Sequence, residues 1–137
     1  MDLAKYRTLF LEEATEHLAE ISRALLALEK DAGHTESIDL VFRMAHSIKG
    51  MAASLDYGAI SELAHRLEDR MERVRQAGRV DGADDLPLLF RALGVLEQMV
   101  GAVREENAPA PAEAELLEAL RAGEGAAEPR KKARTTP

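Results

Sequence analysis

The chain has no cysteine, no tryptophan, two tyrosines and three phenylalanines in 137 residues. Without cysteine there can be no disulfide and no thiolate chemistry, and a cytoplasmic, reducing compartment is the expected setting. No uninterrupted run of about 18 or more apolar residues occurs, so no membrane insertion is expected. The opening Met1-Asp2-Leu3-Ala4-Lys5 lacks the basic segment and apolar stretch of a secretion signal. Positive charge is in the minority. The formal net charge of −7 argues against nucleic acid as the main partner. Arg130, Lys131, Lys132 and Arg134 form a local exception that reads as a solvated linker. There is no Gly-rich phosphate loop and no pair of acids at metal-ligand spacing, so no ATP site and no metal site are expected in this chain.

What is abundant is Ala, Leu, Glu and Arg, a composition that favours helix throughout. Steps of three and four between apolar residues mark the helices. Leu3, Tyr6, Phe10, Ala14, Leu18, Ile21, Leu25 and Leu28 form one stripe over about Leu3 to Lys30, with Asp2 as cap. Ile38, Val41, Phe42, Ala45, Ile48, Ala52 and Leu55 form a second, from Thr35–Ser37 to about Ser54. Ile60, Leu63, Ala64, Leu67, Met71 and Val74 mark a third over about Ala59 to Ala77, with Gly78 suited to its C-terminal cap. A fourth begins near Asp84–Asp85 with Pro87 in its first turn, and turns Leu86, Leu89, Phe90, Leu93, Leu96, Val100 and Val103 inward. The Ala108-Pro109-Ala110-Pro111 segment interrupts the pattern before a short fifth helix over about Ala112 to Ala122.

Long amphipathic helices with short connections pack most simply as an all-α, antiparallel up-and-down four-helix bundle. The bundle should occupy about 3–106 and the fifth, C-terminal helix about 112–122. Together they make one domain over 1–123, followed by a disordered linker or tail at 124–137.

The second helix carries a histidine that is not placed as a core residue. Its apolar stripe centres near Ala45, and His46 lies about a quarter-turn away on the wet flank with Lys49, Gly50 and Ala53. Gly50 stands in a helix interior, where glycine costs about 1 kcal/mol relative to alanine. Small residues beside an exposed histidine leave room for another protein's backbone, although close helix–helix packing would explain them too. Lys49 is one turn from His46 and can reach an anionic group carried there. A nucleophilic imidazole needs a free lone pair on one nitrogen and a partner that fixes the other. On the third helix Glu68 has the same quarter-turn offset from its stripe, and His65 precedes it by one turn. Glu72 is the less favoured carboxylate, and an ordinary solvated acid remains the alternative for Glu68. His17, on the wet side of the first helix, and His34, in a loop, are given no chemical role.

The stretch Ala45-His46-Ser47-Ile48-Lys49-Gly50-Met51-Ala52-Ala53 resembles the motif of histidine-containing phosphotransfer domains, above all the N-terminal (P1) domain of CheA-type chemotaxis histidine kinases. Val41-Phe42-Arg43-Met44, the opening Tyr6…Phe10-Leu11-Glu12-Glu13-Ala14 and His65-Arg66-Leu67-Glu68 are similar to that subfamily as well. The resemblance implies that His46 is the phosphoacceptor, that Glu68 hydrogen-bonds its ring, and that Lys49 and His65 support the site. It implies that Gly50, Ala53 and Ser47 meet the partners. Those partners would be the ATP-binding kinase domain of a histidine kinase and the receiver domain of a response regulator, with ATP and Mg2+ belonging to them. The domain itself would be a monomer and a phosphoryl carrier rather than a complete enzyme. Asp56 departs from the family, which usually has glycine there. Three other readings compete: the dimerisation helices of a conventional sensor kinase, a helical adaptor without chemistry, and a metal site from His46, His65 and Glu68. In the first of these an acidic residue usually follows the histidine, whereas Ser47 follows here.

Overall fold

The computed structural model describes residues 2–122, and the tail expected at 124–137 lies outside them. Five helices follow in order: α1 Leu3–Lys30, α2 Thr35–Ser54, α3 Gly58–Ala77, α4 Leu86–Arg104 and α5 Ala114–Arg121. α1 packs on α2 and α4, and α3 packs on the same two helices, while the diagonal pairs make no close approach. That adjacency is an up-and-down four-helix bundle. α5 lies across α3 and α4.

Local chemistry sets the ends. Asp2 caps α1 by accepting from Lys5 N–H at 3.2 Å. Gly78 ends α3 at φ 84°, the left-handed conformation that glycine adopts without a Cβ clash. Pro87 sits in the first turn of α4, where a missing N–H removes no helical bond. α5 starts only at Ala114, because the chain is still extended at Glu113.

The apolar stripes of α1 to α4 meet in one core, and every α3 residue expected inward is buried. Two expectations need correcting. Leu3 and Tyr6 are 67% and 44% exposed, because the first turns of the long α1 are not covered by the bundle. Val80, in what reads as a plain connection, is fully buried, and its N–H donates to Ala32 O at 2.9 Å, tying the α1–α2 turn to the α3–α4 turn. α4 is long and apolar enough by length and composition to cross a membrane, although Arg91 and Glu97 interrupt any continuous apolar run. In the fold its apolar side, from Leu89 to Val103, is buried in the core.

Candidate functional site

α2 and α3 form the broadest helix–helix contact of the bundle, and the site lies along its outer seam. Ile38, Val41, Ala45, Ile48 and Ala52 anchor α2 inward, which leaves His46 outside with its side chain 63% exposed. Ile60, Ala64, Leu67 and Met71 anchor α3 and set Glu68 against the same seam, with its side chain only 12% exposed. Glu68 Oε2 is 2.7 Å from His46 Nδ1, and Glu68 Oε1 is 2.6 Å from Lys49 Nζ. Ser61 Oγ donates to Lys49 O at 3.3 Å and adds a further tie between the two helices.

Burial alone would raise the pKa of Glu68, but Lys49 and then His46 outweigh it and hold the carboxyl below its ordinary range. An ionised carboxylate can only accept hydrogen bonds. Nδ1 of His46 therefore carries the proton in this pair. In the neutral ring the lone pair is then on Nε2, which has no partner among the described residues. The arrangement leaves one nucleophilic nitrogen facing solvent on a ring fixed from behind.

The other expected residues divide. Lys49 does not point outward but is engaged by Glu68. His65 lies on the same seam, half exposed, but its contacts are Asp69 at 3.7 Å and the Arg66 guanidinium at 3.2 Å. Glu72 is bound to Arg75 and Gln76 and is remote from His46. Gly50 and Ala53 are exposed, and a Cβ at Gly50 would meet nothing within 4 Å, so this glycine serves no internal packing. Ser47 turns toward α1, where its hydroxyl is 3.1 Å from His17 Nε2. His17 is thus not on a wet face: its side chain is 18% exposed and packs between α1 and α2. Ser47 lies about 160° from Ala45 around α2, on the polar side of the helix, so periodicity carries no sign of its contact with α1. His34 is the N-cap of α2 and accepts from Ser37 N–H, a role rarely given to histidine.

A second ionic cluster begins two residues after Glu68 and was not legible in the sequence. Arg70 donates from Nε and from its terminal nitrogen to Asp85 Oδ1, at 3.0 and 2.8 Å, and both side chains are 13% exposed. The other Asp85 oxygen accepts from Asp81 N–H at 2.7 Å. Arg70 and Arg73 also donate to the carbonyls of Ala119, Leu120 and Ala122, which closes the C-terminal end of α5. Asp85 stands at the N-cap of α4 but makes no side-chain cap hydrogen bond, and is instead the anion of this clamp.

The family model described as the Hpt domain matches residues 5–106, the span of the four-helix bundle. The chain is similar to the chemotaxis protein CheA of Bacillus subtilis, 37% identical over 103 residues that make up 75% of this chain and 15% of that protein. It is 34% identical to the CheA of Halobacterium salinarum over 67% of this chain and 14% of that protein. A third relative, the CheA of Rhizobium meliloti, is 31% identical over 77% of this chain. The chain thus spans only about a seventh of the length of these relatives. With a match across its whole bundle, this chain belongs to the Hpt domain family.

Proposed function

We propose that the domain is a phosphoryl carrier in chemotaxis-type two-component signalling and that His46 is its phosphoacceptor. The observation that carries this reading is the exposed imidazole tied through Nδ1 to an ionised, nearly buried Glu68. The donor is ATP held by a separate kinase domain. The Nε2 lone pair attacks the γ-phosphorus, the Nε2–P bond forms as the bond to the bridging oxygen breaks, and ADP leaves with that electron pair. The ring proton stays on Nδ1, where Glu68 stabilises the positive charge that develops on the imidazole. In the second step an aspartate carboxylate of a receiver domain attacks the same phosphorus, and the Nε2–P electron pair returns to the ring. Mg2+ and the remaining transfer chemistry belong to the two partners. Gly50 and Ala53 leave the space in which a partner's backbone approaches the histidine. The domain works as a cytoplasmic monomer.

The test is phosphorylation by the kinase core of a CheA relative with labelled ATP. Wild type should acquire an acid-labile, alkali-stable phosphoryl group, and His46→Gln should fold normally and acquire none. Equal labelling of His46→Gln would sink the reading.

A further inference from the structure

The α2–α3 seam carries several acids: Glu68 against His46, Asp69 beside His65, and Asp39 and Glu72 farther along around Arg75. A phosphoryl group on Nε2 adds a dianion to that surface, and a nearby cation would offset it. Lys49 is the obvious choice by spacing, but its ammonium is already held by Glu68 at 2.6 Å. Arg66 is paired with Asp69, Arg70 with Asp85 and Arg75 with Asp39 and Glu72, while Arg73 is bound to α5 carbonyls. Among the Lys and Arg side chains of α2 and α3, Arg43 alone has neither an ion pair nor a hydrogen bond among the described residues, and it is exposed.

Its position fits the need. Residues three apart on a helix are surface neighbours, with Cβ atoms about 5–6 Å apart. On a helix of about 3.6 residues per turn, Arg43 and Lys49 lie roughly 60° to opposite sides of His46. The Lys49 side faces α3, as its ion pair shows. Arg43 is therefore on the side away from α3. Because Nδ1 is tied to α3 by Glu68, Nε2 is the nitrogen turned away from that helix.

We propose that Arg43, rather than Lys49, is the cation of this chain that contacts the phosphoryl group on His46. The inference rests on His46 being the phosphoacceptor. Arg43 stabilises the incoming and the bound phosphoryl directly, whereas Lys49 acts through Glu68. An arginine suits this role, since its fork of donors matches phosphate oxygens and its charge is permanent.

The experiment uses potassium phosphoramidate, a small donor that needs no kinase, on the full chain. Nε2 displaces ammonia from phosphorus, and the acid-labile product is followed by 31P NMR. Wild type, Arg43→Ala, Arg43→Lys and His46→Gln are compared. At low ionic strength Arg43→Ala should be phosphorylated about 2- to 5-fold more slowly, the scale of one exposed charge contact. The phosphoryl group it carries should titrate at a higher pH than in wild type, because a neighbouring cation favours the dianion. Arg43→Lys should recover most of both effects. In about 1 M salt, where the screening length is roughly 3 Å, the rate difference should largely vanish. If label is confined to His46 while Arg43→Ala matches wild type in rate and titration, this inference fails and the phosphoacceptor reading stands. A deficit that neither lysine restores nor salt removes would also overturn it. If His46→Gln takes up as much label as wild type, both fail.

Discussion

Two ionic clusters stand two residues apart on α3 and do opposite things. Arg70 spends its donors on Asp85 and on the carbonyls of α5, and Asp85 spends its acceptors on Arg70 and Asp81 N–H. Every guanidinium nitrogen of Arg70 and both carboxylate oxygens of Asp85 are thus engaged within the fold. Glu68 likewise binds Lys49 and His46, but His46 is 63% exposed and keeps one nitrogen free among the described residues. A charged cluster with its bonding capacity used up holds a fold together. One that leaves a nucleophilic atom free, on a ring oriented by a hydrogen bond at its other nitrogen, suits the chemistry proposed for His46.

The comparison breaks first at the clamp, where the largest effect is expected. Arg70→Ala strands the Asp85 carboxylate and frees the end of α5, and should cost roughly 3 kcal/mol of stability, the scale of a broken, nearly buried ion pair. Phosphorylation of the fraction still folded should change little. Urea denaturation monitored by circular dichroism measures the first, and labelling at low temperature the second. A loss of labelling as large as the loss of stability would mean that the two clusters are not separate.

Glu68→Gln reverses the pattern. The amide keeps the shape but no longer demands the proton on Nδ1. Phosphorylation should fall by about 10- to 100-fold, the scale of removing the partner that orients a functional histidine. Stability should change by about 1 kcal/mol or less, since His46 and Lys49 remain in reach of solvent. The pH dependence sharpens the same contrast. The carboxyl of Glu68 is held below its ordinary value of 4.5, so the folded state binds fewer protons there than the unfolded one. Its contribution is complete above about pH 4.5 and is lost as the pH falls through the lowered value. Acid denaturation of wild type should therefore be steeper below about pH 4.5 than that of Glu68→Gln. Identical acid limbs would mean that Glu68 is an ordinary solvated acid.

The two clusters were not equally legible from the sequence, and the reason is physical. His46 and Glu68 each stand a quarter-turn from a strong apolar stripe, so helical periodicity places both on the flank where α2 meets α3. Helix pairing does the rest. The clamp needs information that periodicity does not carry. Asp85 must fold back over a turn organised by Asp81, whose carboxylate accepts from Ala83 and Asp84 N–H. The α5 carbonyls must arrive from nearly fifty residues away. The same limit explains His17 and Ser47, polar residues whose contact depends on how α1 and α2 are rotated. It also explains Leu3 and Tyr6, where the stripe continues beyond the helices that could cover it.

Gly50 tests whether the open cluster is open for a partner. It lies one turn beyond His46, and a methyl group there would touch nothing. Gly50→Ala should stabilise the protein by up to about 1 kcal/mol, since alanine is the better helix former. Gly50→Leu should also fold, yet transfer between His46 and a receiver domain should drop. Phosphorylation by phosphoramidate, which needs no protein surface, should not. If the leucine slows both alike, it is disturbing His46 rather than excluding a partner.

The smallest effect is expected at Asp56, a charge that belongs to neither cluster. Its backbone sits at φ 65°, just after α2 ends, and among the described residues no hydrogen bond or ion pair involves its carboxylate. The left-handed conformation costs a residue with a Cβ about 1–2 kcal/mol, less for aspartate than for most, whereas glycine adopts it freely. The positive φ gives a physical reason for the glycine that the family resemblance implies at this position. Asp56→Gly trades this relief against the greater freedom that glycine has in the unfolded chain. The net gain should be a few tenths of a kcal/mol, up to about 1. Asp56→Ala keeps the Cβ and loses the tolerance of aspartate, and should be slightly destabilising. Chemical denaturation of both variants decides the point. A loss of stability in Asp56→Gly would show that the carboxylate makes a stabilising contact in solution. Asp56 would then belong with the residues that hold the fold.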